Sequence, residues 1–201
     1  CSLSNPNASC SNASYPATPT SSGVLGAAGQ SLPATLNQIG SVVVPTAGQR
    51  LRVYLDLIAD GQIQVQARAF IRVSSAPTGS GGNTANTNSI TNSTTSVNKD
   101  VYATATNQRF YVAVERQLGN ASFPQIRVRY EITTPNACAA AQIKQDGNNT
   151  NPPKCCTCGG AYTKVAACAA GTALAGQAGC QGSGTTTCST GSLCVSNTRC
   201  C

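Results

Sequence analysis

The sequence predicts an all-β protein, in which a β-sandwich or jelly roll is followed by a small disulfide-rich module dominated by loops. Apolar and polar residues alternate with a period of two through the middle of the chain, which is the pattern of half-buried strands. Ten of the twelve cysteines lie at or beyond Cys138, and the 127 residues of 11–137 contain none. The middle is therefore expected to fold by burial, and the C-terminal part by cross-linking.

The N-terminal segment, residues 1–38, is predicted to be an extension with a local disulfide. Cys1 and Cys10 bracket eight residues, and pairing them leaves an even number of cysteines to pair elsewhere. The competing hypothesis is a bacterial lipoprotein in which Cys1 carries lipid and one thiol stays unpaired. Val24 and its apolar neighbours indicate either a strand donated to a neighbouring subunit or, as we favour, an N-terminal strand of the same sandwich.

The sandwich is predicted over residues 39–137. Leucine and valine alternate with polar residues in 49–57, and Asp60-Gly61 is a tight-turn signal. We expect the return strand to follow at once, over 63–73. Further strands are expected at 41–44, 101–106, 110–114 and 126–132. A domain of about 110 residues with such strands can bury a core without disulfides.

A long polar loop and several glycosylation sequences accompany these strands. Residues 74–98 are rich in Ser, Thr, Asn and Gly and contain no charge, a composition typical of disordered or O-glycosylated linkers. We expect two or three of the Asn-X-Ser/Thr acceptors to carry glycan, with Asn136-Ala137-Cys138 as a weaker candidate. The acceptors are Asn7, Asn12, Asn92, Asn120 and Asn148.

Residues 155–201, preceded by a linker at 138–154, are predicted to depend on disulfides. Their few sizeable apolar side chains, at roughly 25 cal/mol per Å² buried, fall short of the conformational entropy that ordering the segment costs. Each disulfide contributes about 2 to 4 kcal/mol, and we expect the vicinal pair Cys155-Cys156 to bond with Cys200-Cys201. The cysteines expected in disulfides are Cys1, Cys10, Cys138, Cys155, Cys156, Cys158, Cys168, Cys180, Cys188, Cys194, Cys200 and Cys201.

A metal site is the alternative interpretation of the first cysteines of this module. Cys155, Cys156 and Cys158 are close enough in sequence to share zinc or copper. The chain offers no second CxxC and no histidine to complete the ligand set. We therefore expect disulfides there, with no metal and no other cofactor.

Composition favours a secreted, extracellular protein of the cell surface. The chain lacks Met, from which we expect that a signal peptide has been removed. It also lacks an apolar run approaching the ~20 residues of a membrane helix. The net charge of +7 comes from only 9% charged residues and forms no basic run, so no nucleic-acid partner is expected. A surface so poor in charge favours cover by sugar or by neighbouring subunits.

The residue inventory does not favour an enzyme. Without histidine the chain has no Ser-His or Cys-His nucleophile pair. A glycosidase needs two carboxylates converging in a cleft. Asp56, Glu115 and Glu131 are instead expected on outward strand faces beside arginines, where cross-strand ion pairs are the ordinary interpretation.

A family resemblance covers about residues 40–134. The stretch 43–53 (VVPTAGQRLRV), with YVAV at 111–114 and IRVRY at 126–130, resembles the prokaryotic pre-peptidase C-terminal domain, a jelly-roll module of secreted proteins. The similarity lies in strand spacing and in a Pro-x-x-Gly-x-x-Leu turn, and it implies a non-catalytic accessory or surface-binding role. The acidic middle strand often seen in that family is replaced by QIQVQ at 62–66, so the family's cation or ligand site is not expected here.

Two functions of different classes fit these observations. The first is a non-catalytic extracellular structural glycoprotein, the repeating subunit of a filament, sheath or surface coat that self-associates into a homopolymer. The second is a carbohydrate-binding or adhesion module whose arginine-rich sheet face engages an anionic polysaccharide. The residues of that predicted face are Arg50, Arg52, Tyr54, Arg68, Arg72, Arg127 and Arg129.

Overall fold

A computed structural model gives the fold of the chain. It describes residues 10–31, 37–57, 68–76, 88–90, 96–117, 125–158, 162–167 and 178–182. The strands in chain order are β1 (Cys10–Asn12), β2 (Ser21–Ser31), β3 (Asn37–Val44), β4 (Arg50–Leu57), β5 (Arg68–Ser74), β6 (Asn88–Ile90), β7 (Ser96–Tyr102), β8 (Gln108–Gln117), β9 (Gln125–Thr133), β10 (Gln142–Gln145), β11 (Lys154–Thr157), β12 (Tyr162–Val165) and β13 (Gly179–Gly182). The described residues contain no helix, which confirms the predicted all-β class.

The chain divides into two compact units. The larger consists of Tyr15–Pro135 and Asn148–Asn151, and the smaller takes up Cys1–Ser14 and the remaining C-terminal residues. These boundaries differ from the predicted ones, because β2 lies in the larger unit and β1 in the smaller. Cys138 and β10, from the predicted linker, also lie in the smaller unit.

The larger unit is a jelly roll of eight strands. β2 pairs with β9, β3 with β8, β4 with β7 and β5 with β6, all antiparallel. The chain therefore runs out through β2 to β5 and returns through β6 to β9 as one long two-stranded ribbon. Pairing of β4 with β9 and of β5 with β8 rolls this ribbon into two sheets, β2-β9-β4-β7 and β3-β8-β5-β6. This eight-strand, two-sheet connectivity is that of a jelly roll.

Two expectations about neighbouring strands have different outcomes. β2 pairs with β9 of its own chain, with Leu25 opposite Val128, as the favoured hypothesis of a strand in the same sandwich predicts. The return strand expected after Asp60-Gly61 is wrong as a partner for β4, because β4 and β5 lie in different sheets. Alternation specifies which face of a strand is buried but not which strand lies beside it. The turn itself lies outside the described residues.

One hydrocarbon core lies between the two sheets. β4 and β9 bury alternate residues from one side, and β8 does the same from the other, with Phe110 the largest fully buried side chain. The alternation predicted for 49–57 is confirmed at Leu51, Val53 and Leu55, and apolar residues of the strands predicted at 110–114 and 126–132 are also buried in the core, with Tyr130 only partly buried. The buried members of the core are Val42, Val44, Leu51, Val53, Leu55, Val73, Val101, Ala103, Phe110, Val112, Val114, Ile126, Val128 and Ile132.

The turn between β3 and β4 shows why its sequence contains glycine. Gly48 has a φ of 86°, a left-handed conformation that side chains with a Cβ rarely adopt. The Thr46 amide donates to Gln49 Oε1 over 3.0 Å, and Gln49 is buried. The Pro-x-x-Gly-x-x-Leu sequence is therefore a structural turn that starts β4 at Arg50.

The smaller unit is stabilised mainly by disulfide bonds. β11 lies between β1 and β10, and β12 pairs with β13. Among its described residues, disulfides join Cys10 to Cys156, Cys138 to Cys155 and Cys158 to Cys180. The only hydrocarbon side chain in its described buried cluster is Ile143, which packs with cystine sulfurs.

The predicted pairing of Cys10 with Cys1 is wrong. β1 runs antiparallel to β11 with Cys10 directly opposite Cys156, and these two cysteines form the bridge. Counting cysteines shows that complete pairing is possible, but it carries no information about which strands become neighbours. Cys1 itself lies outside the described residues.

The vicinal pair Cys155-Cys156 does send its two sulfurs to different partners. Those partners are Cys138 and Cys10, so the predicted connection to the vicinal pair at 200–201 is wrong. Successive residues of a strand point to opposite faces, and both cysteines lie in β11. Their sulfurs therefore reach partners that come from two different segments.

Candidate functional site

The outer face of the β2-β9-β4-β7 sheet brings together most of the charged residues that the sequence singled out. Alternation places Leu51, Val53 and Leu55 of β4 in the core, so the residues between them point outward. The register sets Glu131 opposite Arg52 and Arg129 opposite Tyr54 on one side, and Asp100 opposite Arg52 on the other. We call this set the charged face; its members are Arg50, Arg52, Tyr54, Asp56, Asp100, Arg127, Arg129 and Glu131.

Asp56 is the most enclosed carboxylate of the charged face, with its side chain 9% exposed. It accepts hydrogen bonds from Ser96 Oγ at 2.6 Å, Arg129 Nε at 2.8 Å and Arg127 Nη2 at 3.2 Å. Burial alone would raise the pKa of Asp56, but the hydrogen bonds from Ser96 and Arg129 outweigh it and hold the pKa below its ordinary value. A carboxylate so fully engaged by donors is a poor general base, and it offsets the charge of both arginines.

Arg52 and Asp100 form a two-point ion pair. Arg52 Nε lies 2.6 Å from Asp100 Oδ1, and Arg52 Nη2 lies 2.7 Å from Oδ2. This parallel arrangement is the strong geometry for a guanidinium and a carboxylate. The hydrogen bond to Asp100 raises the pKa of Arg52. Arg52 is therefore committed to a partner within the chain.

Tyr54 is covered by Arg129 on the charged face. The Arg129 guanidinium carbon lies 3.5 Å from the Tyr54 ring centroid, which is cation–π geometry. The Tyr54 hydroxyl donates to Glu131 Oε2 over 2.7 Å. The Tyr54 ring, which was predicted to be available to a sugar, is therefore covered by the Arg129 side chain.

A tyrosine cluster lies beside Arg50. The Arg50 guanidinium carbon lies 4.8 Å from the Tyr15 ring centroid, and the Tyr15 and Tyr102 rings are 6.0 Å apart. The Tyr15 hydroxyl donates to the Gly48 carbonyl over 2.8 Å. Burial raises the pKa of both Tyr15 and Tyr102. Sequence reasoning missed this cluster because Tyr15 stands alone in a polar extension, and no local pattern connects it to β4.

The predicted arginine face is correct for five of its seven residues. Arg68 and Arg72 lie on β5, in the other sheet, so a single face made by all seven is wrong. The error follows from expecting β5 to return beside β4. On the charged face four arginines stand against the three carboxylates of Asp56, Asp100 and Glu131, so its net charge is only +1.

Two of the five glycosylation acceptors lie among the described residues. Asn12 and Asn148 are both exposed, and Asn148 Oδ1 accepts hydrogen bonds from the Thr150 hydroxyl at 2.8 Å and the Thr150 amide at 2.9 Å. The weaker Asn136 candidate depends on Cys138, whose sulfur is bonded to Cys155. Outside the described residues lie Asn7, Asn92 and Asn120.

The three cysteines considered for a metal are each bonded to a cysteine elsewhere in the chain. Cys155, Cys156 and Cys158 all form disulfides, so they have no thiolate to offer an ion. Within the described ranges no group of three His, Cys, Asp or Glu residues is arranged to hold a metal, and no helix has the length and apolarity to span a bilayer. Outside those ranges lie Cys1, Cys168, Cys188, Cys194, Cys200 and Cys201, together with the side chain of Glu115.

Comparisons with known proteins give no relative for this chain. A scan against protein-family models, a search of curated proteins and a search of solved structures each find no match. The jelly-roll class therefore rests on the strand order described above. The resemblance to the pre-peptidase C-terminal domain stays a prediction.

Proposed function

We propose that this protein is a non-catalytic extracellular structural glycoprotein that self-associates into a filament, sheath or surface coat. The observation that carries the proposal is the edge of β2 on the side away from β9, which pairs with no other strand among the described residues. This strand lies at the end of its sheet, is 11 residues long and contains no charged residue. An edge strand directs backbone N–H and C=O groups outward, where they can pair with another chain.

The two edges of this sheet differ in how they are protected. Proteins commonly block edge strands with charged side chains, and β7, at the opposite edge, carries Lys99 and Asp100. β2 carries none, and Val24 within it is 55% exposed. The contrast favours β2 as the edge that takes part in assembly.

A second copy of the chain fits the β2 edge better than a charged partner does. Antiparallel pairing of two β2 strands centred on Val24 would set the two valines opposite each other and would create no like-charge pair. This two-fold contact joins two subunits, and dimers formed in this way would assemble further through a second contact surface. The register of β2 on β9 shifts between Leu25 and Gln30, and Gly26 and Gly29 have positive φ. The regular segment from Ser21 to Leu25 is therefore the part suited to this pairing.

The remaining features support a durable protein outside the cell. Disulfides persist in oxidising compartments, and the smaller unit has three among its described residues. Asn12 and Asn148 offer exposed acceptor sequences for glycan. The charged face is nearly neutral, which suits a surface that packs against copies of itself.

Val24→Lys tests the proposal, with Asn98→Lys as its matched control. Both changes add one positive charge to an exposed position on an edge strand of the same sheet. We expect electron microscopy and sedimentation to show polymers for the unmodified protein and for Asn98→Lys, and discrete particles for Val24→Lys. Polymers that survive Val24→Lys would exclude the β2 edge, and an unmodified protein that stays monomeric at all concentrations would exclude the structural function.

Binding of an anionic polysaccharide is the second candidate function. It is favoured by Arg127, which is 45% exposed beside Arg129 on the charged face. Retention of monomers on an acidic polysaccharide column at ~150 mM salt, where the Debye length is about 8 Å, would support it. Retention should then fall in Arg127→Gln. We expect that the protein is not retained, because Asp56 and Asp100 already pair with the arginines that would bind the polysaccharide.

A further inference from the structure

The Cys10–Cys156 disulfide closes a covalent loop that contains the whole jelly roll. The two cysteines are 146 positions apart, and every strand from β2 to β9 lies between them in sequence. In the part of the chain that the structure describes, the segments before Cys10 and after Cys156 are therefore connected in two ways. One connection is a single disulfide, and the other is the intervening chain with its folded sandwich.

We propose that this disulfide carries tension past the sandwich, so that the jelly roll does not unfold when the chain is pulled from outside the loop. The bridge holds the Cα atoms of Cys10 and Cys156 at 4.1 Å. A force applied before Cys10 and after Cys156 cannot separate these two points while the bond is intact. The sandwich between them then experiences no extension along the chain.

The position of the bridge in the ladder makes it effective. β1 and β11 are antiparallel, and Cys10 lies opposite Cys156, Ser11 opposite Cys155 and Asn12 opposite Lys154. The two outer chain segments therefore leave the ladder at the same end. Under load at that end the ladder's hydrogen bonds would break one after another. The disulfide is located at the pair that would open first.

The neighbouring disulfide does not have this property. Cys138 and Cys155 are 17 positions apart, and both follow β9 in the chain. Their bridge closes a short loop that contains β10 but no strand of the jelly roll. The two bridges start from adjacent residues of β11, but only the Cys10–Cys156 bridge encloses the sandwich. The Cys138–Cys155 bridge is therefore a suitable control.

This inference goes beyond the proposed function and does not depend on it, because it follows from chain connectivity. A monomer would have the same property as a subunit in a polymer. In a polymer whose subunits are linked through segments outside the loop, the sandwich would keep its shape under load. Reduction of the bridge would remove that protection.

Single-molecule force spectroscopy on the oxidised full chain, held by handle domains fused to its two ends, tests the inference. The oxidised protein should show no extension from the sandwich. The variant with Cys1→Ser, Cys10→Ser and Cys156→Ser, in which Cys1 cannot form another bridge around the sandwich, should unfold the sandwich in one step. Because the Cys138–Cys155 loop stays closed, the released length is that of 146 minus 17 positions, about 440 Å at roughly 3.4 Å per residue. The control with Cys138→Ser and Cys155→Ser should show no step of that size.

Adding reductant to oxidised molecules already held at constant low force provides a second measurement that needs no variant to fold. The step of about 500 Å should appear only after reduction. The inference is overturned if the oxidised protein shows this step, or if the Cys1→Ser, Cys10→Ser and Cys156→Ser variant folds and shows no step of about 440 Å. It is equally overturned if the Cys138→Ser and Cys155→Ser control releases the same length.

Discussion

The sandwich encloses a hydrocarbon core to which both of its sheets contribute, whereas the smaller unit buries Ile143 among cystine sulfurs. Phe110, Leu51 and Leu55 are fully buried in the former. The latter has β-ladders of only three or four residues, which are too short to cover a core. The difference explains the distribution of cysteine. Cross-links are dense where burial cannot offset conformational entropy, and they are absent where it can.

Removing either of the two disulfides of β11 should lower the free energy of unfolding more than the other changes, and the Cys10–Cys156 bridge should matter more than the Cys138–Cys155 bridge. Loop-closure entropy for 146 and 17 positions predicts losses of about 5 kcal/mol for Cys10→Ser with Cys156→Ser, and about 3 kcal/mol for Cys138→Ser with Cys155→Ser. Urea denaturation followed by circular dichroism measures both. Equal losses would mean that the long loop contributes nothing specific to the sandwich.

Phe110→Ala should destabilise the sandwich by about 4 kcal/mol, because it leaves a cavity in the hydrocarbon core. Val43→Ala, on the same sheet and 38% exposed, should change the free energy of unfolding by less than about 0.5 kcal/mol. Peptide mapping of Phe110→Ala should still find the three disulfides of the smaller unit. Scrambled disulfides in that variant would show that the smaller unit needs the sandwich core in order to fold.

Asp56→Asn should cost about 2 kcal/mol, since two arginines of the charged face lose their shared carboxylate. Thermal unfolding at pH 7 measures this loss. Arg127→Gln removes the more exposed of the two arginine partners of Asp56 and should cost under 1 kcal/mol. If the two variants were equally stable, Asp56 would not be the centre of the network.

The same carboxylate should give the sandwich an acid-sensitive component of stability. The pKa of Asp56 is lower in the folded chain than its ordinary value of about 4. Its contribution is therefore fully present above pH ~4 and is lost as pH falls through the lower, folded pKa. Unfolding free energies measured between pH 7 and pH 2 should decline less steeply in Asp56→Asn. An identical decline in both proteins would contradict this assignment.

Tyr15→Phe should have the smallest effect, about 1 kcal/mol, because it removes the hydrogen bond to the Gly48 carbonyl and keeps the ring contacts. Tyr111→Phe, on β8, is the matched control and should be nearly neutral. Thermal unfolding of both variants checks the difference. Equal stabilities would mean that Tyr15 contributes only through its ring.

The sequence was sufficient to predict which residues of a strand are buried, but it was insufficient to predict which strands pair with each other. Alternation in β4, β8 and β9 predicted which residues enter the core, because a half-buried strand requires a period of two. It could not predict that β4 pairs with β7 and β9. Those pairings follow from the long ribbon, whose register depends on contacts between distant segments.

The charged face was predictable in part for the same reason. Arg52 and Arg129 stand out because they alternate with core residues on their own strands. Their partner Asp100 and the nearby Tyr15 come from segments whose local sequence does not connect them to β4. Parity likewise counted the cysteines correctly but could not assign Cys10 to Cys156, since only the β1–β11 register brings them together.

Hydrogen exchange before and after reduction tests most directly whether the two units are stabilised by different interactions. After reduction, we predict that amides in β4, β8 and β9 remain protected by the hydrocarbon core. Amides in β10 and β11 should exchange at rates close to those of an unfolded chain. Loss of protection in all five strands together, or continued protection of β10 and β11, would contradict the account.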